Sequence, residues 1–126
     1  MLCIDTSSLI SYLEGATGAD VELIDRAFTD KVGVIAPVTL TEMLSDPQLS
    51  KAAQGAILQL PVLPVLDGYW GRAGRLRAKM LKQGCKAKLA DTLIAQSCLD
   101  HDATLVARDR DFRAFARVAG LGLLSN

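Results

Sequence analysis

Four acidic residues stand where their carboxylates could meet at one edge of a sheet: Asp5, Glu42, Asp91 and Asp109. Asp5 directly follows the apolar run 2–4, and Asp91 lies inside the mostly apolar stretch 89–94, where a carboxylate needs compensation. Grouped carboxylates repel one another unless cations lie between them, and Mg²⁺ or Mn²⁺ prefers such hard oxygen ligands. Two of these ions about 4 Å apart can activate a water molecule and stabilise the leaving oxygen of a phosphodiester. The pattern therefore indicates metal-dependent hydrolysis of a phosphodiester backbone.

Each of these carboxylates also has an ordinary structural explanation. Asp5 could cap the helix that follows it, and Asp91 could favour the positive end of a helix dipole. Glu42 could be a solvated helix residue, whereas Asp109 and Asp111 could simply form a turn. Taken one at a time, these explanations remain open. Taken together, four acids that reach one edge from separate elements favour a shared site.

The elements that would position these acids follow from alternating apolar runs and helical periodicity. Five short runs predict strands, at 1–4, 33–36, 62–66, 104–107 and 121–124. Helices are predicted between them, at 7–14, 21–28, from Pro37 to 44, 53–60, 69–83, 88–100 and 112–118. Strands separated by helices indicate an α/β fold with a mainly parallel sheet covered on both faces. Such sheets collect their sites beyond the carboxyl ends of the strands.

Composition sets limits on the class of protein. The 126 residues fit a single domain, 1–126, with half of them hydrophobic and equal numbers of acidic and basic side chains. The three cysteines, Cys3, Cys85 and Cys98, have neither zinc-ligand nor redox spacing. No apolar run approaches the length of a membrane span, and only four residues precede Asp5. We expect a cytoplasmic protein without a membrane segment.

Four segments of the chain resemble, in order, the acidic motifs of PIN domains: 5–10, 37–42, 89–95 and 105–112. They read Asp-Thr-Ser-Ser-Leu-Ile, Pro-Val-Thr-Leu-Thr-Glu, Leu-Ala-Asp-Thr-Leu-Ile-Ala and Leu-Val-Ala-Arg-Asp-Arg-Asp-Phe. The resemblance spans nearly the whole chain. The length of the chain and the style of its motifs are similar to those of the VapC-like toxin ribonucleases of bacterial and archaeal toxin–antitoxin pairs.

The resemblance implies a three-layer PIN-like sandwich with a central sheet of about five strands, acting as an endoribonuclease. It also implies a homodimer and a cognate antitoxin that blocks the acidic groove. By position, Mg²⁺ or Mn²⁺ would be held by four catalytic acids, Asp5, Glu42, Asp91 and Asp109, with possible support from Ser7 and Asp111. The chain departs from the family pattern at Ala107, where a Ser or Thr is frequent, so a hydroxyl near the fourth acid is missing.

The stretch 68–90 contains seven Lys and Arg residues and no acid, which is half of the positive charge of the chain. Its candidate RNA-binding residues are Arg72, Arg75, Lys79, Lys82 and Lys86, of which the first four share one helix face. A solvated helix face is the alternative. We favour RNA binding because this stretch directly precedes Asp91.

Other chemistries fit the sequence less well. His101 lies at a helix end beside Asp100 and Asp102 and has no nucleophile partner. A glycine-rich phosphate loop is absent from the sequence, and Asp46 occupies a turn rather than the strand end expected of a phosphoacceptor domain. The remaining rival is a PIN-like module that binds protein or RNA without turnover, and Ala107 is the feature that favours it.

Overall fold

A four-stranded parallel sheet runs through the middle of the protein in a computed structural model, which describes residues 1–125. Its strands are β1 (Leu2–Ile4), β2 (Gly33–Val34), β3 (Thr104–Ala107) and β4 (Leu123–Ser125). Their order across the sheet is β2-β1-β3-β4, and every pairing is parallel. The first strand of the chain is therefore central, between β2 and β3.

Helices connect the strands and cover both faces of the sheet. They are α1 (Thr6–Leu13), α2 (Ala19–Asp30), α3 (Pro37–Leu44), α4 (Lys51–Leu58), α5 (Tyr69–Lys82), α6 (Leu89–His101) and α7 (Phe112–Ala119). Within residues 1–125, no helix is both long and apolar enough to cross a lipid bilayer.

Two hydrophobic clusters make this a three-layer α/β fold. Ile4 and Val106 contribute to a core with α1–α4, whereas Cys3 and Leu105 contribute to a core with α5–α7. Neighbouring strand residues point to opposite faces because the side chains of a strand alternate. The three-layer prediction is thus confirmed.

The strand predicted at 62–66 is wrong. Val62 forms only an isolated parallel bridge with Ile35, so the described sheet has four strands rather than about five. Pro61 and Pro64 lack the N–H groups that a continuing ladder requires, and they flank this bridge. The other strand positions are confirmed, although β2 ends at Val34 and β4 begins two residues later than expected.

The pairing of β1 with β3 positions the acidic residues. Leu2, Cys3 and Ile4 pair with Thr104, Leu105 and Val106, and the backbone N–H of Asp5 donates to the carbonyl of Val106 at 2.9 Å. The carboxyl ends of these parallel strands therefore lie side by side. Residues that follow them, in particular Asp5 and Asp109, are brought to the same edge of the sheet.

Candidate active site

Asp5 ends β1 and caps α1. Its backbone is extended, and its side chain accepts a hydrogen bond at 3.2 Å from the N–H of Ser7. The hydroxyl of Ser7 donates to the same carboxylate oxygen. Asp5 is only 3% exposed, and its two hydrogen bonds with Ser7 hold the carboxylate in a fixed orientation. The capping role considered for Asp5 is real, and it coexists with a position at the sheet edge.

Asp91 lies in the first turn of α6. Its Oδ2 atom is buried and has no hydrogen-bond partner among residues 1–125. A buried carboxylate oxygen without a partner is costly, because it has lost water and gained nothing in exchange. Asp91 therefore has a carboxylate oxygen that a hydrogen-bond donor or a cation would stabilise.

Asp109 and Asp111 follow β3 in the loop that begins α7. One oxygen of Asp109 accepts the backbone N–H of Asp111 at 2.9 Å, which forms a tight turn. One carboxylate oxygen from each of Asp91, Asp109 and Asp111 lies within 4.8 Å of the other two, and we call these three residues the acidic group. Asp111, expected only as support, is thus placed beside the predicted ligands.

Burial and mutual repulsion raise the pKa of two carboxyl groups at this edge. Burial raises the pKa of Asp5 from 3.8 to about 6 against the opposing hydrogen bonds from Ser7, and the charge of Asp109 adds to the rise. Burial also raises the pKa of Asp91 from 3.8 to about 6, and the charges of Asp5 and Asp109 contribute. Asp5 is therefore electrostatically coupled to the acidic group.

Glu42 approaches the edge from α3 but is not a member of the acidic group. Its Oε1 atom accepts a hydrogen bond at 2.8 Å from the hydroxyl of Thr6, the residue next to Asp5. The hydroxyls of Thr6 and Thr39 lie 3.2 Å apart. Thr6 thus ties Glu42 to the start of α1, and Thr39 contacts Thr6 from α3. Neither threonine is among the functional residues predicted from the sequence, although both lie inside the acidic motif segments.

Two lysines from the segment between α5 and α6 face the acidic group. The ammonium of Lys86 lies 3.3 Å from Asp111 Oδ2, and that of Lys88 lies 3.9 Å from the same oxygen. Lys86 is one of the predicted RNA-binding residues, whereas Lys88 is not. Their side chains are 64% and 59% exposed, so both remain accessible to a ligand.

The basic face of α5 divides into one paired and three unpaired cations. Arg72 forms two hydrogen bonds with Asp100, at 2.9 and 2.7 Å, and this pairing lowers the pKa of that carboxyl. Arg75, Lys79 and Lys82 are exposed and form no ion pair within residues 1–125. Arg72 therefore ties α5 to α6, which leaves the other three to face solvent.

An ion pair between partly exposed Arg108 and buried Asp20 stabilises the loop that carries Asp109. The Arg108 guanidinium contacts both carboxylate oxygens of Asp20 at 3.0 Å. The Asp20 side chain is fully buried and also accepts a hydrogen bond from Ser8 at 3.1 Å. This pair joins α2, α1 and the loop after β3. Sequence reasoning missed it because its partners are 88 residues apart and no local pattern links them.

An open groove of about 370 Å³ lies beside Glu42. Its walls come from α1, α3 and the start of α4, and they mix apolar with acidic side chains. Ile10, Leu13 and Met43 form part of the apolar lining, and Glu14 and Asp46 are acidic.

The profile of the PIN domain family matches residues 2–118. The chain belongs to the PIN-domain family. This PIN domain is 29% identical to ribonuclease VapC11 of Mycobacterium tuberculosis over 129 residues, which cover 96% of each sequence.

Solved structures give the same fold. VapBC2 from Rickettsia felis, bound to a DNA fragment from its promoter, aligns with a TM-score of 0.74 at 19% identity over 98% of this PIN domain and 97% of that chain. FitAcB from Neisseria gonorrhoeae aligns with a TM-score of 0.72 at 17% identity, covering 98% of this chain and 96% of that one. A toxin–antitoxin complex from Klebsiella pneumoniae aligns with a TM-score of 0.64 at 19% identity, covering 98% of this chain and 96% of that one.

Proposed function

We propose that this chain is a divalent-metal-dependent endoribonuclease and the toxin of a toxin–antitoxin pair. The observation that carries the proposal is the convergence of Asp91, Asp109 and Asp111, next to Asp5, around a buried Asp91 oxygen without a partner among residues 1–125. Membership of the PIN family and likeness to a ribonuclease along nearly the full chain support the choice of reaction.

The donor set suits Mg²⁺ or Mn²⁺. All the candidate ligands are carboxylates, which are the hard oxygen donors that these ions prefer, and no histidine or cysteine belongs to the acidic group among the described residues. A cation would supply the partner that Asp91 Oδ2 lacks and would offset the repulsion that raises the pKa of Asp5 and Asp91. We propose Asp5, Asp91 and Asp109 as ligands, with Asp111 as a further one.

The surrounding residues would hold these ligands in place during the reaction. When bound, the metal supplies activation of water for attack on phosphorus and offsets charge on the leaving 3′ oxygen. Ser7 fixes the Asp5 carboxylate through two hydrogen bonds, so that ligand needs little reorganisation. Thr6 fixes Glu42 on the other side of the same helix start, where its carboxylate can bind a water molecule or complete the ligand set.

We propose that the groove beside Glu42 receives a cognate antitoxin. Solved structures with this fold include the toxin–antitoxin complex from Klebsiella pneumoniae. The groove combines apolar walls with Glu14, Glu42 and Asp46, so an amphipathic segment with a basic side chain would be complementary to it. Such a segment would block access to the acidic group.

Substitution of Asp5 and Asp91, the two carboxyl groups whose pKa is raised, tests the proposed nuclease directly. Asp5→Asn and Asp91→Asn should each lower RNA cleavage by about 100-fold or more, because each removes an anionic ligand with little change of shape. Asp30→Asn, which alters an exposed carboxylate on α2, is the matched control and should retain activity. EDTA should stop cleavage, and Mg²⁺ or Mn²⁺ should restore it. Wild-type rates in the Asp5/Asp91 double variant, or full activity in excess chelator, would contradict the proposal.

A further inference from the structure

We propose that Lys86 and Lys88 act as an internal counter-ion for the acidic group, which a divalent ion displaces, and that the released lysines then bind the RNA phosphate at the site. The inference deepens the proposed nuclease function and rests on it. It assigns to this pair of lysines a role distinct from that of the basic face of α5.

The segment that carries the two lysines is anchored to the core between them. Ala87 is 4% exposed, and its carbonyl accepts a hydrogen bond from Arg77 at 2.8 Å. The hydroxyl of Thr92 holds the carbonyl of Lys88 at 2.8 Å. A buried residue between two exposed ones fixes the backbone and leaves both ammonium groups on the outer side. Their approach to Asp111 therefore follows from an anchored segment, although each side chain is long and flexible.

Both ammonium groups converge on one oxygen of a carboxylate that has acidic neighbours. Lys86 lies 3.3 Å and Lys88 lies 3.9 Å from Asp111 Oδ2. One carboxylate oxygen of Asp91 and one of Asp109 lie within 4.8 Å of an oxygen of Asp111, so the lysines offset charge that would otherwise be repulsive. Lys88 also acts on Asp91, where its positive charge lowers the pKa against the other causes.

A divalent ion and the two ammonium groups would compete for the same carboxylates. A metal that binds Asp111 removes the attraction that holds the lysines there, and it repels them. The freed side chains remain at the rim of the site, where a phosphodiester must lie for cleavage. Exposed ammonium groups bind phosphate as point charges, so they suit this second role.

The test measures metal affinity without reference to cleavage. Titration calorimetry of Mn²⁺ into the metal-free Lys86→Gln/Lys88→Gln protein should give binding about three- to tenfold tighter than wild type, since two exposed ion pairs no longer compete. The control Lys79→Gln/Lys82→Gln removes the same charge from α5 and should change affinity less than twofold. In an Asp111→Asn background, the gain from removing the two lysines should fall to the level of that control.

A second readout tests the phosphate contact. At saturating Mg²⁺, the Lys86/Lys88 variant should raise KM for RNA severalfold with little change in kcat, and the increase should shrink at high salt. Unchanged Mn²⁺ affinity, or an equal gain in the Lys79/Lys82 control, overturns the counter-ion role, and an unchanged KM overturns the phosphate contact. A wild-type protein that binds no divalent ion would instead refute the proposed nuclease, so the two failures are distinguishable.

Discussion

Asp5 is the residue at which structural and chemical roles meet most closely. It caps α1 through Ser7 and is nearly buried, yet its charge acts on the acidic group. Asparagine caps helices as well as aspartate does, so the cap survives an Asp5→Asn change while the charge does not. Asp5→Asn therefore removes the charge without removing the helix cap.

The stability of the metal-free protein should depend on pH through Asp5. Its pKa is about 6 in the folded protein and near 3.8 when unfolded, so between these values the folded state holds more protons. Asp5 therefore makes its full contribution to the free energy of unfolding below pH 3.8, and this contribution disappears as the pH rises through 6. In urea unfolding with EDTA present, the free energy of unfolding of Asp5→Asn relative to wild type should rise by about 2–3 kcal/mol from pH 4 to pH 7.5. A difference that does not vary with pH would contradict the raised pKa.

At the residue scale, the sequence predicted the acids better than their partners. Asp5, Asp91 and Asp109 could be found because each follows or enters an apolar segment of a recognisable motif. The sequence indicates Asp111 only as possible support and does not indicate Lys88, since a turn and a lysine-rich segment are common at protein surfaces. Which carboxylate a lysine approaches depends on how α5 and α6 pack, and no spacing rule encodes that distance.

At the scale of elements, α5 presents along one face Arg75, Lys79 and Lys82, which form no ion pair with the described residues 1–125. Removing one phosphate-binding cation should reduce the slope of log K against log salt by about 0.7 for single-stranded RNA, so Arg75→Gln/Lys79→Gln should flatten it by about 1.4. Binding should weaken for all sequences alike, because phosphate contacts do not read bases. Filter binding across a salt series measures the slope. Arg26→Gln/Lys51→Gln removes equal charge from α2 and α4 as a control, and an unchanged slope in the α5 variant would leave that face merely solvated.

The loop after β3 depends on the Asp20–Arg108 pair. Asp20→Ala should lower the free energy of unfolding by about 1–3 kcal/mol, because it leaves the buried Ser8 hydroxyl without its acceptor and the partly exposed Arg108 guanidinium without its carboxylate. Glu22→Ala, an exposed change in the same helix, should cost less than about 1 kcal/mol. Chemical denaturation of both variants gives the comparison. Equal destabilisation by the two changes would show that the pair does not stabilise the loop.

Helices with a long hydrophobic periodicity could be predicted from the sequence, whereas the short proline-rich segment could not. Helix α5 repeats its buried positions at helical spacing over several turns, at Tyr69, Ala73, Leu76 and Met80, so its existence and rough bounds follow from the sequence. The apolar residues at 62–66 match a strand in hydrophobicity alone. Pro61 and Pro64 decide otherwise, because each withholds an N–H group from the ladder.

At the scale of the whole molecule, we expect a homodimer. One chain has a mass of 13.5 kDa, so light scattering at micromolar concentration should report about 27 kDa, which is twice that value. The expectation follows from the likeness to VapC-type toxins, and exposed apolar side chains such as Trp70 at 67% and Leu81 at 50% are compatible with it. A mass of one chain over this concentration range would count against the dimer. The measurement should be made without antitoxin, which would add its own mass.

The order of the strands also determines when the candidate site can assemble during synthesis of the chain. β1, which emerges first from the ribosome, has its partner β3 at residues 104–107, and Asp109 and Asp111 come later still. At about 5–20 residues per second, a nascent chain holds Asp5 for several seconds before its neighbouring acids are translated. A growing chain therefore carries Asp5 beside the ribosome without the acidic group that completes the candidate site. For the proposed ribonuclease, this topology delays any cleavage of its own messenger RNA until the last part of the domain has been made.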